Sequence, residues 1–410
     1  MKIFRSIFIV FAVFSACKST PSGALKQEKK NETPYVILIS IDGFRYDYAE
    51  KHGARHIQKM GEEGVRAESM TSVFPSKTFP NHYSIVTGLY AENHGLVSNT
   101  FYDPKLDLTY KISNRERVED GRFYGGTPLW TLAEQQGMKS ACYFWVGSEA
   151  PINEIRPSYY YIYDGSVPNQ KRVDQVIDWL KLPGEERPHF ITLYFSDVDS
   201  KGHSFGPDAV ETKMAVQEID ALIGNLSQRV NALDLPVNII IVSDHGMIEV
   251  DRENPIRIEQ MADFSKVNPV ITGSHVLVYG NDPAEIDRLH EELIPLQGDS
   301  FLVYKKADIP DSLHFKNHHR IGELLLIANA PKEFVYEGQR FISPGAHGFD
   351  PYRTPEMGAI FYANGPNVKR GMVIPSFENV HVYPLVAEIL GLKVTEEIDG
   401  KLGVLKRILK

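Results

Sequence analysis

Three uninterrupted apolar runs constrain the fold of this 410-residue chain more than any other feature. They occupy residues 36–41, 190–195 and 237–243, and none shows the regular polar alternation of a half-exposed strand. Runs of this length and character are typical of strands buried on both faces of a parallel sheet. Amphipathic helical patterns follow at residues 211–234 and 284–296. The sequence therefore predicts an α/β fold with a mostly parallel central sheet, helices on both faces and insertions.

Acidic residues and histidines come directly after each of these runs. Asp42 follows the first run, Asp199 and His203 follow the second, and Asp244 and His245 follow the third. Open α/β sheets bind ligands outside the carboxyl ends of their strands, so we expect these side chains to converge there. Carboxylates that crowd together repel one another unless cations neutralise them. Neutral imidazoles beside them suit zinc and related transition metals better than magnesium.

His347 adds a sixth candidate ligand from a distant part of the chain. It lies between Gly345 and Gly348, and such small residues let the backbone approach a crowded centre. Six protein ligands suit a pair of metal ions, about 3.5–4 Å apart, better than a single ion. The pattern therefore predicts two metal ions and favours zinc, with manganese, iron or cobalt as possible replacements.

Thr78 is the candidate nucleophile. It lies in a segment stiffened by Pro75 and Pro80, ahead of a helix predicted at residues 81–89. The positive end of that helix favours negative charge on the attacking oxygen. A threonine hydroxyl is a poor nucleophile on its own, and metal coordination activates it.

Six segments in this order resemble the nucleotide pyrophosphatase/phosphodiesterase family of the alkaline phosphatase superfamily. They are SIDGFR at 40–45, FPSKTFPNH at 74–82, NHGLVSN at 93–99, DSKGH at 199–203, SDHGM at 243–247 and HGFD at 347–350. The similarity runs from about residue 35 to about residue 400. It implies an alkaline-phosphatase-like fold and cleavage of nucleotide phosphodiester or phosphoanhydride bonds through a phospho-threonine intermediate.

The same resemblance assigns roles residue by residue. One zinc ion would be held by Asp199, His203 and His347, and the other by Asp42, Thr78, Asp244 and His245. Asn99 matches the family residue that donates a hydrogen bond to a phosphoryl oxygen. Asp197 is left out, because Asp199 has the four-residue spacing to His203 that the family shows.

The substrate is less constrained than the reaction. Phe79 and Tyr194 match positions where relatives stack the base, and Lys77 is the one basic residue beside Thr78, which favours a diester over a monoester. A choline-phosphate or phospholipase-C-like diesterase acting on lipid head groups is the alternative, since the tyrosine-rich, acidic stretch at 159–164 suits a cation. A non-catalytic metal-binding surface lipoprotein is a third hypothesis, and the oligomeric state stays open.

The pattern of the N-terminal residues is typical of an export signal. Residues 1–17 combine a basic start, a short apolar stretch and small residues, as in a signal peptide, and residues 14–17 resemble a bacterial lipobox in which Cys17 carries lipid. Residues 18–33 are predicted to be a flexible tether and residues 34–410 the catalytic domain. We therefore expect a bacterial lipoprotein-type member in the periplasm or on the outer membrane or cell surface. A net charge of −9 argues against a nucleic-acid-coating protein.

Overall fold

The three apolar runs form the centre of an eight-stranded sheet in the computed structural model, which describes residues 33–410. The predicted signal peptide, the lipidation of Cys17 and the predicted tether up to residue 32 lie outside the described residues and stay predictions. Within residues 33–410, no helix is both long and apolar enough to cross a bilayer.

We number the strands of the two larger sheets and the helices of seven or more residues in chain order. The strands are β1 (Tyr35–Ile41), β2 (Val65–Ala67), β3 (Ser140–Tyr143), β4 (Tyr159–Tyr160), β5 (Phe190–Phe195), β6 (Val237–Val242), β7 (Asn268–Ile271), β8 (His275–Tyr279), β9 (Phe301–Lys305), β10 (Leu324–Ala328), β11 (Phe361–Asn364) and β12 (Met372–Ile374). The helices are α1 (Arg55–Glu63), α2 (Thr78–Thr87), α3 (Leu129–Gln135), α4 (Asn169–Leu180), α5 (Asp197–Phe205), α6 (Val210–Asn231), α7 (Pro283–Leu293) and α8 (Val382–Leu390).

The central sheet has the strand order β12-β2-β11-β6-β1-β5-β3-β4. β1 lies between β5 and β6 and pairs with both in parallel. Among these eight described strands, only β11 runs against its neighbours, β6 and β2. The prediction of a mostly parallel sheet is therefore confirmed, with one reversed strand that the sequence pattern did not reveal.

Alternate side chains of β1 enter two different apolar layers. Val36 and Leu38 pack in a cluster that includes residues of α2, α3 and α8. Ile37 and Ile39 pack in a second cluster that includes residues of α1, α4 and α6. Because both faces of the strand are covered, an uninterrupted apolar run was required there. Helices on both faces of the sheet are confirmed.

A second, antiparallel sheet forms the largest insertion, with the order β7-β8-β10-β9. One face of β8 joins the first apolar layer through Leu277, and the other face packs with α7 through Val276 and Val278. The two predicted helices agree with α6 and α7 to within a few residues, whereas α2 begins at Thr78 rather than at residue 81. This earlier start places the candidate nucleophile on the first turn of the helix.

Candidate active site

The candidate ligands meet at the carboxyl ends of β1, β5 and β6. Asp42 comes directly after β1, and its carbonyl accepts the backbone N–H of Asp199 in the first turn of α5 at 3.1 Å. Gly43 makes this close approach possible, because it has a φ of 67° and a Cβ there would lie 2.9 Å from the Cα of Asp199. Its N–H also donates to Asp244 Oδ1 at 3.1 Å. Gly43 therefore allows Asp42, Asp199 and Asp244 to lie close to one another.

Each of these three carboxylates has an oxygen without a hydrogen-bond partner. The buried atoms Asp42 Oδ1, Asp199 Oδ1 and Asp244 Oδ2 accept no hydrogen bond from any described residue. Such orphaned buried oxygens are costly unless a cation neutralises them. They fit a metal centre, and their number fits more than one ion.

The three histidines are oriented in a common way. The Nδ1 atoms of His203, His245 and His347 donate to the backbone carbonyls of Gly345, Gly246 and Ser76 at 2.8, 2.9 and 2.8 Å. A carbonyl only accepts, so the proton lies on Nδ1 and the Nε2 lone pair is left for a metal. Carbonyl partners of this kind fix the tautomer and ring orientation of metal-binding histidines.

Two groups of ligand atoms are compact enough to hold a cation. One consists of Asp42, Asp244 and His245, and the other of Asp199, His245 and His347, with the ligand atoms of each group within 4.8 Å of one another. His203 lies beside the second group, with its Nε2 atom 3.4 Å from Asp199 Oδ1. His245 is common to both groups, and the division of ligands implied by the family resemblance stays a prediction.

Charge crowding shifts the protonation of this cluster. Burial, with the negative charges of Asp244 and Asp199, raises the pKa of Asp42 well above its usual range. Burial also acts to raise the pKa of Asp244, but the adjacent imidazoles of His245 and His82 outweigh it and lower that pKa well below its usual range. Burial and neighbouring cationic groups lower the pKa of His347, which favours its neutral, metal-binding form.

Thr78 lies at the edge of this cluster. It is the first residue of α2, and its Oγ1 atom is 3.3 Å from His245 Nε2. His82, one turn later, donates from Nδ1 to the Thr78 carbonyl at 2.9 Å, and its Nε2 atom is 2.8 Å from Ser40 Oγ. The candidate nucleophile is thus at a helix N-terminus, beside a buried histidine that donates a hydrogen bond to its backbone carbonyl.

Asn99 contacts the residue that follows Thr78 at the start of α2. Its Oδ1 atom accepts the backbone N–H of Phe79 at 2.9 Å. This bond fixes the amide so that its NH₂ group remains the free donor. A donor at this position is suited to an anionic oxygen beside Thr78.

A cavity of about 420 Å³ opens beside Thr78. Its lining includes Asp42, Thr78, Phe79, Arg115, Trp145, Glu149, Tyr163, Tyr194 and Asp199. The Arg115 guanidinium forms an ion pair with the Glu149 carboxylate, whose Oε1 atom also accepts the backbone N–H of Tyr163 at 3.1 Å. The cavity thus joins the ligand cluster to a mixed aromatic and polar wall.

Lys77 does not line this cavity. Its side chain is buried against Gly348, and Nζ donates to the His347 carbonyl at 2.9 Å. The predicted role of Lys77 in substrate binding has no support from this position and stays a prediction. Lys77 instead fixes the loop that carries His347.

Tyr194 lies near the end of β5, as predicted. Its hydroxyl, for which the sequence predicted no role, contacts a candidate metal ligand. The ring lines the cavity, and the O–H donates to Asp42 Oδ2 at 2.6 Å. Arg115, Glu149 and Tyr163 were not singled out from the sequence as site residues, although Tyr163 falls in the tyrosine-rich stretch. They are far from the motifs in the chain, and no local pattern distinguishes them.

The fold and this cluster together define a candidate metal centre at one edge of an α/β sheet, with a threonine beside it. A sequence model of the "Type I phosphodiesterase / nucleotide pyrophosphatase" family matches residues 36–350. The chain belongs to this family, and it has the family's alkaline-phosphatase-like fold and candidate metal-ligand groups.

Relatives and solved structures agree with this assignment. The chain is 36% identical over 392 residues to human ectonucleotide pyrophosphatase/phosphodiesterase family member 1, covering 92% of this chain and 42% of that protein. It is 38% identical over 391 residues to the venom phosphodiesterase of Macrovipera lebetinus, covering 92% of this chain and 45% of the relative. The structure matches murine ectonucleotide pyrophosphatase/phosphodiesterase 5 with a TM-score of 0.87 and 28% identity, covering 92% of this chain and 100% of that chain. An inactive threonine-to-alanine form of that protein in complex with AMP matches equally well. This chain thus spans less than half the length of both the human and the viper relative.

Proposed function

We propose that this protein is a two-zinc phosphodiesterase or pyrophosphatase that cleaves nucleotide substrates through a covalent intermediate on Thr78. The observation that carries the proposal is the convergence of three partner-less carboxylate oxygens and three oriented imidazoles beside a threonine at a helix N-terminus. A non-catalytic metal-binding protein has no need of a hydroxyl at that position.

The donor set favours zinc over magnesium. Imidazole nitrogens and carboxylate oxygens together are typical of zinc and related transition metals. Asp42, Asp199, His203, Asp244, His245 and His347 would hold the two ions, with the Thr78 oxygen as a further ligand. When bound, two such cations lower the pKa of a hydroxyl and neutralise charge on a transferring phosphoryl group.

The chain's own residues account for the remaining chemistry. The Thr78 hydroxyl gives up its proton to solvent, its Oγ1 forms a bond to phosphorus, and the bond from phosphorus to the leaving oxygen breaks. The leaving oxygen takes a proton from water, and a second water then hydrolyses the threonine ester. The NH₂ group of Asn99, oriented by Phe79 N–H, would donate to a non-bridging phosphoryl oxygen.

The cavity wall favours a nucleotide over a choline phosphodiester. A quaternary ammonium group requires aromatic faces and negative charge. The Glu149 carboxylate is already paired with the Arg115 guanidinium, so it offers no net negative charge to such a cation. Phe79 and Tyr163 instead offer aromatic surface for a base, and the ion pair offers donors and acceptors for its edge. The AMP complex of the murine structural relative agrees with this proposal.

A substrate panel tests the proposal. The zinc-loaded protein is given a nucleotide aryl ester, a phosphorylcholine aryl ester and an aryl phosphate monoester, and kcat/KM is measured for each. We expect the nucleotide ester to have the highest value. Equal or faster turnover of the monoester would contradict a diesterase, and preference for the phosphorylcholine ester would contradict nucleotide specificity.

Phe79→Ala is expected to raise KM for nucleotide esters by about 5- to 150-fold, the equivalent of about 1–3 kcal/mol of stacking. The backbone N–H that orients Asn99 is retained in this variant, so kcat should change much less. Phe205→Ala is the matched control, because Phe205 is 48% exposed and does not line the cavity. An equal rise in KM for an aryl ester without a base would remove the stacking role.

A further inference from the structure

Tyr194 joins the cavity wall to the ligand cluster. Its O–H donates to Asp42 Oδ2 at 2.6 Å, a distance in the range of charge-assisted bonds to a carboxylate. The other oxygen, Asp42 Oδ1, has no hydrogen-bond partner among residues 33–410. One oxygen of the Asp42 carboxylate is therefore hydrogen-bonded to the tyrosine hydroxyl, and the other is left for a cation.

Asp244 is arranged in the same way. The N–H of Gly43 holds Oδ1 at 3.1 Å, and Oδ2 accepts no hydrogen bond from a described residue. A carboxylate with one oxygen fixed cannot rotate to present the wrong atom or both atoms. Repetition of this arrangement at two neighbouring ligands points to a requirement for one defined oxygen from each.

The position of Tyr194 is itself firmly set. Its residue pairs with Ser40 in the parallel ladder of β1 and β5, and its carbonyl accepts a hydrogen bond from the buried Arg172 at 2.9 Å. Its ring packs edge to face with His82, at 5.3 Å between centroids, and His82 lies 3.3 Å from Asp244. The hydroxyl is thus delivered to Asp42 by the sheet rather than by a mobile loop.

We propose that Tyr194 is a positioning residue for Asp42, and through it for the metal ion that Asp42 holds, rather than chiefly a stacking platform for the base. The proposal rests on the two-metal centre proposed above. Outer partners of metal ligands tune metal affinity by orienting the ligand and fixing its charge. The ring of Tyr194 contributes cavity surface, and its hydroxyl serves the metal.

Tyr194→Phe separates these two contributions, because it keeps the ring and removes only the hydroxyl. We expect one of the two zinc ions to bind about 10- to 100-fold more weakly, measured by competition with a chelating dye in the absence of substrate. Turnover should fall at limiting zinc and recover at saturating zinc, with the KM for a nucleotide ester then unchanged. If Tyr194 served only to stack the base, this variant would change neither zinc affinity nor KM, because the ring is kept.

Tyr90→Phe is the matched control. Tyr90 also donates its O–H to a carboxylate, Glu378 Oε2 at 2.8 Å, but it does not line the cavity. This variant should bind zinc as the wild type does. Unchanged zinc affinity in Tyr194→Phe, or a raised KM at saturating zinc, would overturn the inference alone. A wild-type protein that binds no zinc would overturn the proposed function as well.

Discussion

Thr78→Ala is expected to lower kcat by about 10⁴-fold or more, since no other hydroxyl is proposed to form the covalent intermediate. The substitution should leave the fold intact, because alanine is compatible with the first turn of a helix and the Thr78 carbonyl still accepts from His82. Steady-state turnover of a nucleotide aryl ester measures the loss. Rapid quenching followed by mass spectrometry should detect a nucleotidyl adduct on the wild-type protein and none on the variant.

Thr78→Ser is the matched variant for this experiment, because it keeps the hydroxyl and removes only the γ-methyl group. It should retain measurable turnover and form the adduct on the hydroxyl of the substituted side chain. If Thr78→Ala instead kept more than about a tenth of wild-type turnover, attack by water would replace attack by threonine. The proposed metal centre would then activate a water molecule instead of the Thr78 hydroxyl.

The features that were predictable from the sequence are those with a local signature. A strand covered on both faces must be apolar at every position, so β1, β5 and β6 were visible as uninterrupted runs. The acidic residues after each run were then assigned to one edge of the sheet by the rule that parallel strands share a carboxyl edge. Asp42, Asp199 and Asp244 do lie there, within reach of His245 and His347.

The features that were missed depend on distances that the sequence does not contain. The ion pair between Arg115 and Glu149 joins two separate segments of the chain, and neither residue belongs to a motif. Lys77 stands beside Thr78 in the chain, but its side chain turns away to the His347 carbonyl, 270 residues later. Adjacent residues at a helix start point in different directions, so Thr78 lines the cavity and Lys77 does not.

Asp199 and Asp197 offer the sharpest test of the ligand assignment, because they are two residues apart in the first turn of α5. Asp199 Oδ1 has no hydrogen-bond partner among the described residues and faces His203 and His347 at 3.4 and 3.8 Å. Asp197 Oδ2 instead accepts a hydrogen bond from Asn169 at 2.9 Å. Both carboxylates lie at the same helix N-terminus, so a difference between them reports on metal binding rather than on the helix dipole.

Asp199→Asn is expected to weaken zinc binding at one site by more than about 100-fold, since even outer partners of ligands contribute 10- to 100-fold. Turnover should fall with it by about 10²-fold or more, whereas Asp197→Asn should change both by less than about threefold. Metal content per chain and kcat are the measurements. Equal losses in the two variants would mean that charge near α5, rather than ligation, is what matters.

Asp199→Asn should also change the thermal stability of the protein, and the change should depend on whether metal is bound. Without metal, the negative charge of Asp199 contributes to the raised pKa of Asp42, after burial and the charge of Asp244. Removing that charge relieves repulsion, so metal-free Asp199→Asn should have a higher Tm than the metal-free wild type. Added zinc should then raise the Tm of the variant less than that of the wild type, because the stabilisation by a ligand grows with its affinity. A cluster that evolved to hold cations should behave in this way, whereas an ordinary buried carboxylate with a structural partner would lose stability in both states.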